Sequence, residues 1–130
     1  MNHRTLSIEI PAAGSYLRLV RMLVSAFAAE AAGLDVEAAA RVRLAASEAC
    51  VALLGTDPDA RHAPMRVHAQ VEPGWVDLEV RMATPSPVHE QDLAVIRVLA
   101  DVVDARTDDG DQVVHIRLHH AVGGRAAAGV

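Results

Sequence analysis

The sequence predicts an α+β two-layer sandwich: one mostly antiparallel sheet with helices on one face. Three observations predict it. Several short stretches alternate apolar and polar residues with a period of two, and longer ones repeat apolar residues at three- and four-residue steps. Turn signals, Glu72-Pro73-Gly74 and Asp108-Asp109-Gly110-Asp111, separate adjacent strand candidates. In chain order the elements read βααββαββ, which folds as antiparallel strands with the helices gathered on one side.

The first strand is Thr5 to Ile10, where Leu6, Ile8 and Ile10 alternate with Ser7 and Glu9, and Pro11 ends it. Pro11-Ala12-Ala13-Gly14 makes a turn. Ser15 is the expected N-cap of a helix to about Ala32, whose buried stripe reads Tyr16, Leu19, Val20, Leu23 and Phe27. Gly33 stops that helix, and a second one starts at Asp35 as N-cap and runs to Gly55, so the pair forms an αα-hairpin. A polar loop, Thr56 to Pro64, leads to two alternating strands, Met65 to Val71 and Trp75 to Met82. Val88 to Ala100 reads as a third helix with Leu93, Ile96, Val98 and Leu99 inward. Asp101 to Thr107 and Gln112 to His119 form the closing hairpin. Residues 1–122 are expected to be a single domain, and Gly123 to Val130, small and weakly patterned, a disordered tail.

Composition narrows the function. The 130 residues are 52 % hydrophobic but only 2 % aromatic, so the core is built of Leu, Val, Ile and Ala layers. The net charge is −5 with no basic run, which argues against nucleic acid as a partner. Lysine is absent, which removes the P-loop lysine and Schiff-base chemistry. One cysteine, Cys50, reads as a small core residue in a reducing compartment. No signal peptide and no uncharged bilayer-length run is found, so the expected location is cytoplasmic, with no membrane contact.

Among candidate functional residues Glu48 stands first, because Leu44, Val51 and Ala52 share its helix face. It either caps the edge of the apolar stripe and reaches water, or serves a partner, a cleft mouth or a reaction. The loop residues Asp57, Asp59 and His62 have metal-ligand chemistry but also the composition of a solvated turn. His62, His68, His89 and His115 are spread over different elements, and His119-His120 point to opposite faces of a strand, so no metal site is expected.

The order of elements, together with Ile10-Pro11-Ala12, Arg21, the run Arg43-Leu44-Ala45-Ala46-Ser47-Glu48-Ala49-Cys50-Val51 and the closing VLADVVDARTDDGDQVVHIRL, resembles the anti-sigma-factor serine kinases, built on the GHKL (Bergerat) ATPase fold. The likeness runs from Ile8 to about Leu118. It implies that Glu48 occupies the general-base position. It also implies three departures. Four residues on, where the family has an asparagine that holds Mg²⁺ against ATP, this chain has Ala52. At the family's Asp-x-Gly-x-Gly, which reads adenine and lets the backbone approach the nucleotide, it has Met82, Thr84 and Ser86. Where the family has a long ATP lid, Pro87 leads almost directly into the next helix.

Loss of metal ligand, base reader and lid together implies lost nucleotide binding and kinase activity, with Glu48 vestigial and no ATP or Mg²⁺ cofactor. The expected function is then a regulatory anti-sigma-like protein that binds a sigma factor, a STAS-domain anti-anti-sigma factor, or both, through the first helix with Arg18 and Arg21. The alternative is an active serine kinase with a non-standard magnesium site, and a third reading is an unrelated partner. An open sheet edge is compatible with a homodimer.

Overall fold

Period-two alternation produces the sheet. A computed structural model describes residues 4–55 and 63–121 and shows strands β1 (Arg4–Pro11), β2 (Pro64–Glu72), β3 (Trp75–Ala83), β4 (Val102–Asp108) and β5 (Asp111–His119). They form one five-stranded sheet in the order β1-β2-β3-β5-β4, every neighbouring pair antiparallel. The expected inward sets are buried: Met65, Val67, Ala69 and Val71 on β2, and Val76, Leu78, Val80 and Met82 on β3. The β4–β5 turn places Asp109 at φ 51° and Gly110 at φ 84°. Two successive left-handed residues are the requirement of the two-residue turn whose twist matches an antiparallel pair.

Helices α1 (Leu17–Ala32), α2 (Val36–Leu54) and α3 (Ala94–Leu99) pack on the sheet. Asp35 caps α2 as expected, its carboxylate accepting the Ala38 N–H at 2.8 Å. Gly33, at φ 65°, ends α1 in the left-handed region. The buried side of α2 is made largely of Ala45, Ala46, Ala49, Cys50 and Leu53, and α1 lies against α2. Alanines let the helix axes approach closely, so little aromatic volume is needed between the layers.

Two helices differ from the sequence reading. A 3-10 turn, Gly14–Tyr16, precedes α1, and no side chain caps either segment. The buried residues of α1 are Val20, Val24 and Ala28, whereas Tyr16, Leu19 and Leu23 are exposed to 39, 43 and 40 %. The helix is turned toward its small residues, which fit the narrow space beside α2, and its larger ones line an outer flank. The expected third helix is a 3-10 turn at Glu90–Leu93 followed by the six residues of α3. Leu93 and Ile96 are buried, but Val98 is 86 % exposed. Pro85 and Pro87 keep the segment before Glu90 out of a helix, and the β-branched Val95, Ile96 and Val98 give α3 little propensity of its own. Asp57, Asp59, His62 and the tail after Ala121 lie outside the described residues.

Candidate functional site

The α2 face that begins the site follows from helical spacing: Glu48 and Ala52 are one turn apart and project the same way. Ala52 is buried and Glu48 half-buried, while Leu44 and Val51 beside them are 43 and 48 % exposed. Glu48 therefore stands at the margin between core and water. No hydrogen bond or ion pair joins it to another of the described residues.

Met82, near the end of β3, lies opposite Met65 on one side and Gln112 on the other. It is 1 % exposed and belongs to the main apolar core. Gln112 turns its amide to Thr107 Oγ1 at 2.8 Å. Thr84 is buried, and its hydroxyl accepts the Ser86 N–H at 3.4 Å in the bend around Pro85. Ser86 is half-buried. Six residues separate β3 from the 3-10 turn at Glu90, whose Leu93 and following Ile96 are buried, and both this turn and α3 are in contact with α2. Ala52, Met82 and Thr84 are thus all interior positions.

Arg18 and Arg21, one turn apart on α1, have different surroundings. Arg18 is exposed. Arg21 is half-buried and donates to Ser47 Oγ of α2 at 3.2 Å. With the small residues of α1 turned inward, position 21 lies on the α2 side and links the two helices. Cys50 is fully buried, and burial pushes its thiol up to about 12. It is an unreactive core residue.

The outer face of the sheet, away from the helices, carries an ion-pair lattice that the sequence reading missed. Arg81 reaches Asp108 at 2.8 Å and Asp111 at 3.2 Å, and Arg66 meets Asp111 at 2.9 Å. Hydrogen bonding to Asp108 raises the Arg81 guanidinium, and the same bond holds the Asp108 carboxyl below its ordinary value. Val113, opposite Arg81 and Arg106 on its two neighbouring strands, is buried beneath this layer. His115 contacts Asp77 at 3.0 Å, and Arg117 lies 4.4 Å from the centre of the Trp75 ring. Two adjoining grooves of about 510 and 390 Å³ share His68 and Glu79 on this face, on the other side of the sheet from the buried Met82 side chain. Alternation placed these residues on one face; only the strand register pairs them. No group of three metal-ligating side chains is gathered among the described residues.

A family model described as a histidine kinase-like ATPase domain matches residues 10–94, from the end of β1 to the start of α3. The crystal structure of the RsbU and RsbW domains of Rv1364c from Mycobacterium tuberculosis is similar in fold, with a TM-score of 0.72 and 20 % identity over 92 % of this chain. The chain spans 34 % of that structure's length. No curated protein matches the chain.

Proposed function

The chain belongs to the histidine kinase-like ATPase domain family, and from that premise we propose that it is a regulatory domain of the anti-sigma-factor type. It works by binding a sigma factor, a STAS-domain anti-anti-sigma factor, or both, and carries out no phosphoryl transfer. The observation that supports this reading most is the interior character of Ala52, Met82 and Thr84. These positions correspond, through the resemblance to anti-sigma serine kinases, to the metal ligand, the adenine reader and a glycine of the nucleotide loop.

The residues present do not fit a magnesium nucleotide. Ala52 offers no oxygen to a hard cation. Met82, surrounded by core residues, supplies only a weak thioether acceptor where an amino group needs a carboxylate. Thr84 and Ser86 fill with side chains and a local bend the place where bare backbone is needed. The six residues between β3 and Glu90 are too few for a lid over a triphosphate. Glu48 keeps the general-base position without the groups that would place a phosphoryl donor beside it.

Partner binding is then assigned to the exposed parts of α1 and α2. Arg18 is exposed and has no ion-pair partner among the described residues, and Met22 (57 % exposed), Leu44 and Val51 add exposed apolar surface to the same helical layer. An arginine beside exposed apolar side chains suits a partner surface that pairs a carboxylate with an apolar rim. Arg21 contributes by holding α1 against α2. The test is pairwise calorimetry of the purified chain against the sigma factors and STAS proteins of its own organism, with and without Mg²⁺-ATP. The reading expects one tight, nucleotide-independent complex, weakened about tenfold or more by Arg18→Ala. A complex that forms only with nucleotide, or a chain that phosphorylates the STAS protein, supports the kinase alternative instead.

A further inference from the structure

Strand alternation puts Ser7, His68 and Glu79 on the outer face of the sheet, and the register lines them up. Ser7 on β1 lies opposite His68 on β2, and His68 lies opposite Glu79 on β3, so the three make one row across neighbouring strands. Ser7 Oγ is 2.8 Å from His68 Nδ1, a contact between residues 61 apart in the chain. All three side chains line the groove of about 510 Å³. Ser7 is exposed, and His68 and Glu79 are half-buried.

A hydroxyl within hydrogen-bond distance of an imidazole, open to a groove, has the parts of a nucleophile and its base. When Ser7 donates, Nδ1 accepts, and the ring carries its proton on Nε2. Directly opposed residues on one sheet face stand about 5 Å apart, which sets the Glu79 carboxylate beside the positive charge that develops on His68 as it takes a proton. Glu79 is held in place by Arg106 at 3.4 Å and Arg81 at 3.5 Å. Arg66, two residues before His68 and so on the same face, meets Asp111 at 2.9 Å, and its side chain is 53 % exposed. Its remaining N–H groups are donors for an oxyanion forming in the groove. Exposed Glu9 lines the same groove with Glu79, and the two carboxylates disfavour an anionic acyl group.

We propose that Ser7 and His68 act as nucleophile and base in the hydrolysis of small uncharged carboxylic esters, with Arg66 as oxyanion donor and Glu79 as a positioning residue. Ser7 Oγ attacks the carbonyl carbon while its proton passes to His68 Nδ1. Collapse breaks the bond between the acyl carbon and the alcohol oxygen, and the alcohol leaves with the proton from the imidazolium. Water, giving its proton to the same nitrogen, then attacks the Ser7 ester. The second collapse returns that proton to Ser7 Oγ and releases the carboxylic acid. The site uses the face of the sheet opposite the helices and stands independently of the nucleotide and partner readings.

Hydrolysis of p-nitrophenyl acetate by the full chain, together with peptide mapping after treatment with an alkyl fluorophosphonate, tests it. The expected result is turnover with the phosphonyl group on Ser7. Ser7→Ala abolishes the labelling and lowers kcat/KM about a hundredfold or more, and His68→Gln slows both reactions by a similar factor at an unchanged melting temperature. Arg66→Gln lowers kcat about tenfold. Glu79→Gln lowers kcat about tenfold at unchanged KM, and Glu79→Asp recovers it. Thr5→Ala, on the same strand, changes neither turnover nor labelling. Turnover no faster than that of the Ser7→Ala chain, a label on another residue, or labelling of Ser7 that is equally fast in His68→Gln overturns the proposal.

Discussion

Met82→Asp introduces the residue type that the resemblance to anti-sigma serine kinases implies for an adenine reader, and its outcome depends on whether that position opens on a ligand site or on a closed core. Met82 is 1 % exposed among core neighbours. Truncating a buried methionine costs about 2–5 kcal/mol in lost burial and packing. The new carboxyl would meet no cation among those neighbours, so it stays protonated, and holding it neutral at pH 7, about three units above its ordinary value, costs about 4 kcal/mol more. The sum approaches the whole stability of a small domain, about 5–15 kcal/mol. Met82→Asn shares the packing loss without the proton. Because the folded pKa of the new carboxyl is raised, its penalty is absent below the unfolded value near 4 and grows by about 1.4 kcal/mol per unit as pH rises toward the folded value. Urea titrations of both variants between pH 4 and 8 should therefore converge at the acid end and diverge above it. Equal stability at every pH would refute the closed-core account.

Other expectations rest on separate features. Asp35→Ala removes the α2 cap and should cost about 1 kcal/mol in thermal or urea unfolding. Cys50, with its thiol raised by burial from the ordinary 9.0 to about 12, makes stability fall as pH rises from about 9, since only the unfolded chain ionises there; Cys50→Ala should flatten that alkaline slope. Native Cys50 should also resist thiol reagents until the chain unfolds. The Asp108 carboxyl, held low by Arg81, adds stability that is present above its unfolded pKa and is lost as pH falls through its lowered folded value. Arg81→Gln should weaken that acid-side dependence in pH-resolved melts, with Arg106 as the remaining cation near Asp108, and leave Asp111 with Arg66 alone.

The sheet was legible because strand alternation with one solvated face is a local signal: each inward position on β2 and β3 could be named from the sequence. Asp35 and Gly33 were legible for the same reason, being residue types that helix ends require. The orientation of α1 was not. Hydrophobicity favours Leu19 and Leu23 over Val24 and Ala28, but the packing against α2 and the sheet buries Val20, Val24 and Ala28. That rotation brings the Arg21 guanidinium within 3.2 Å of Ser47 Oγ. The outer ion-pair lattice was hidden because it depends on the register of strands distant in sequence, as between Arg66 and Asp111. At the candidate site, spacing alone singled out Glu48. Ala52, Met82 and Thr84 gained meaning from the family resemblance, and their burial from the packing of α2 against the Glu90–Leu99 segment.

The proposed function has the fold of a nucleotide-binding domain persisting without its nucleotide. Calorimetric titration of the intact chain with ATP and Mg²⁺, paired with a thermal melt in excess ligand, tests it most directly. No saturable heat and an unchanged melting temperature are expected, since a ligand that binds only the native state must raise it. Saturable magnesium-dependent binding with a matching rise in melting temperature would show that the nucleotide site is intact.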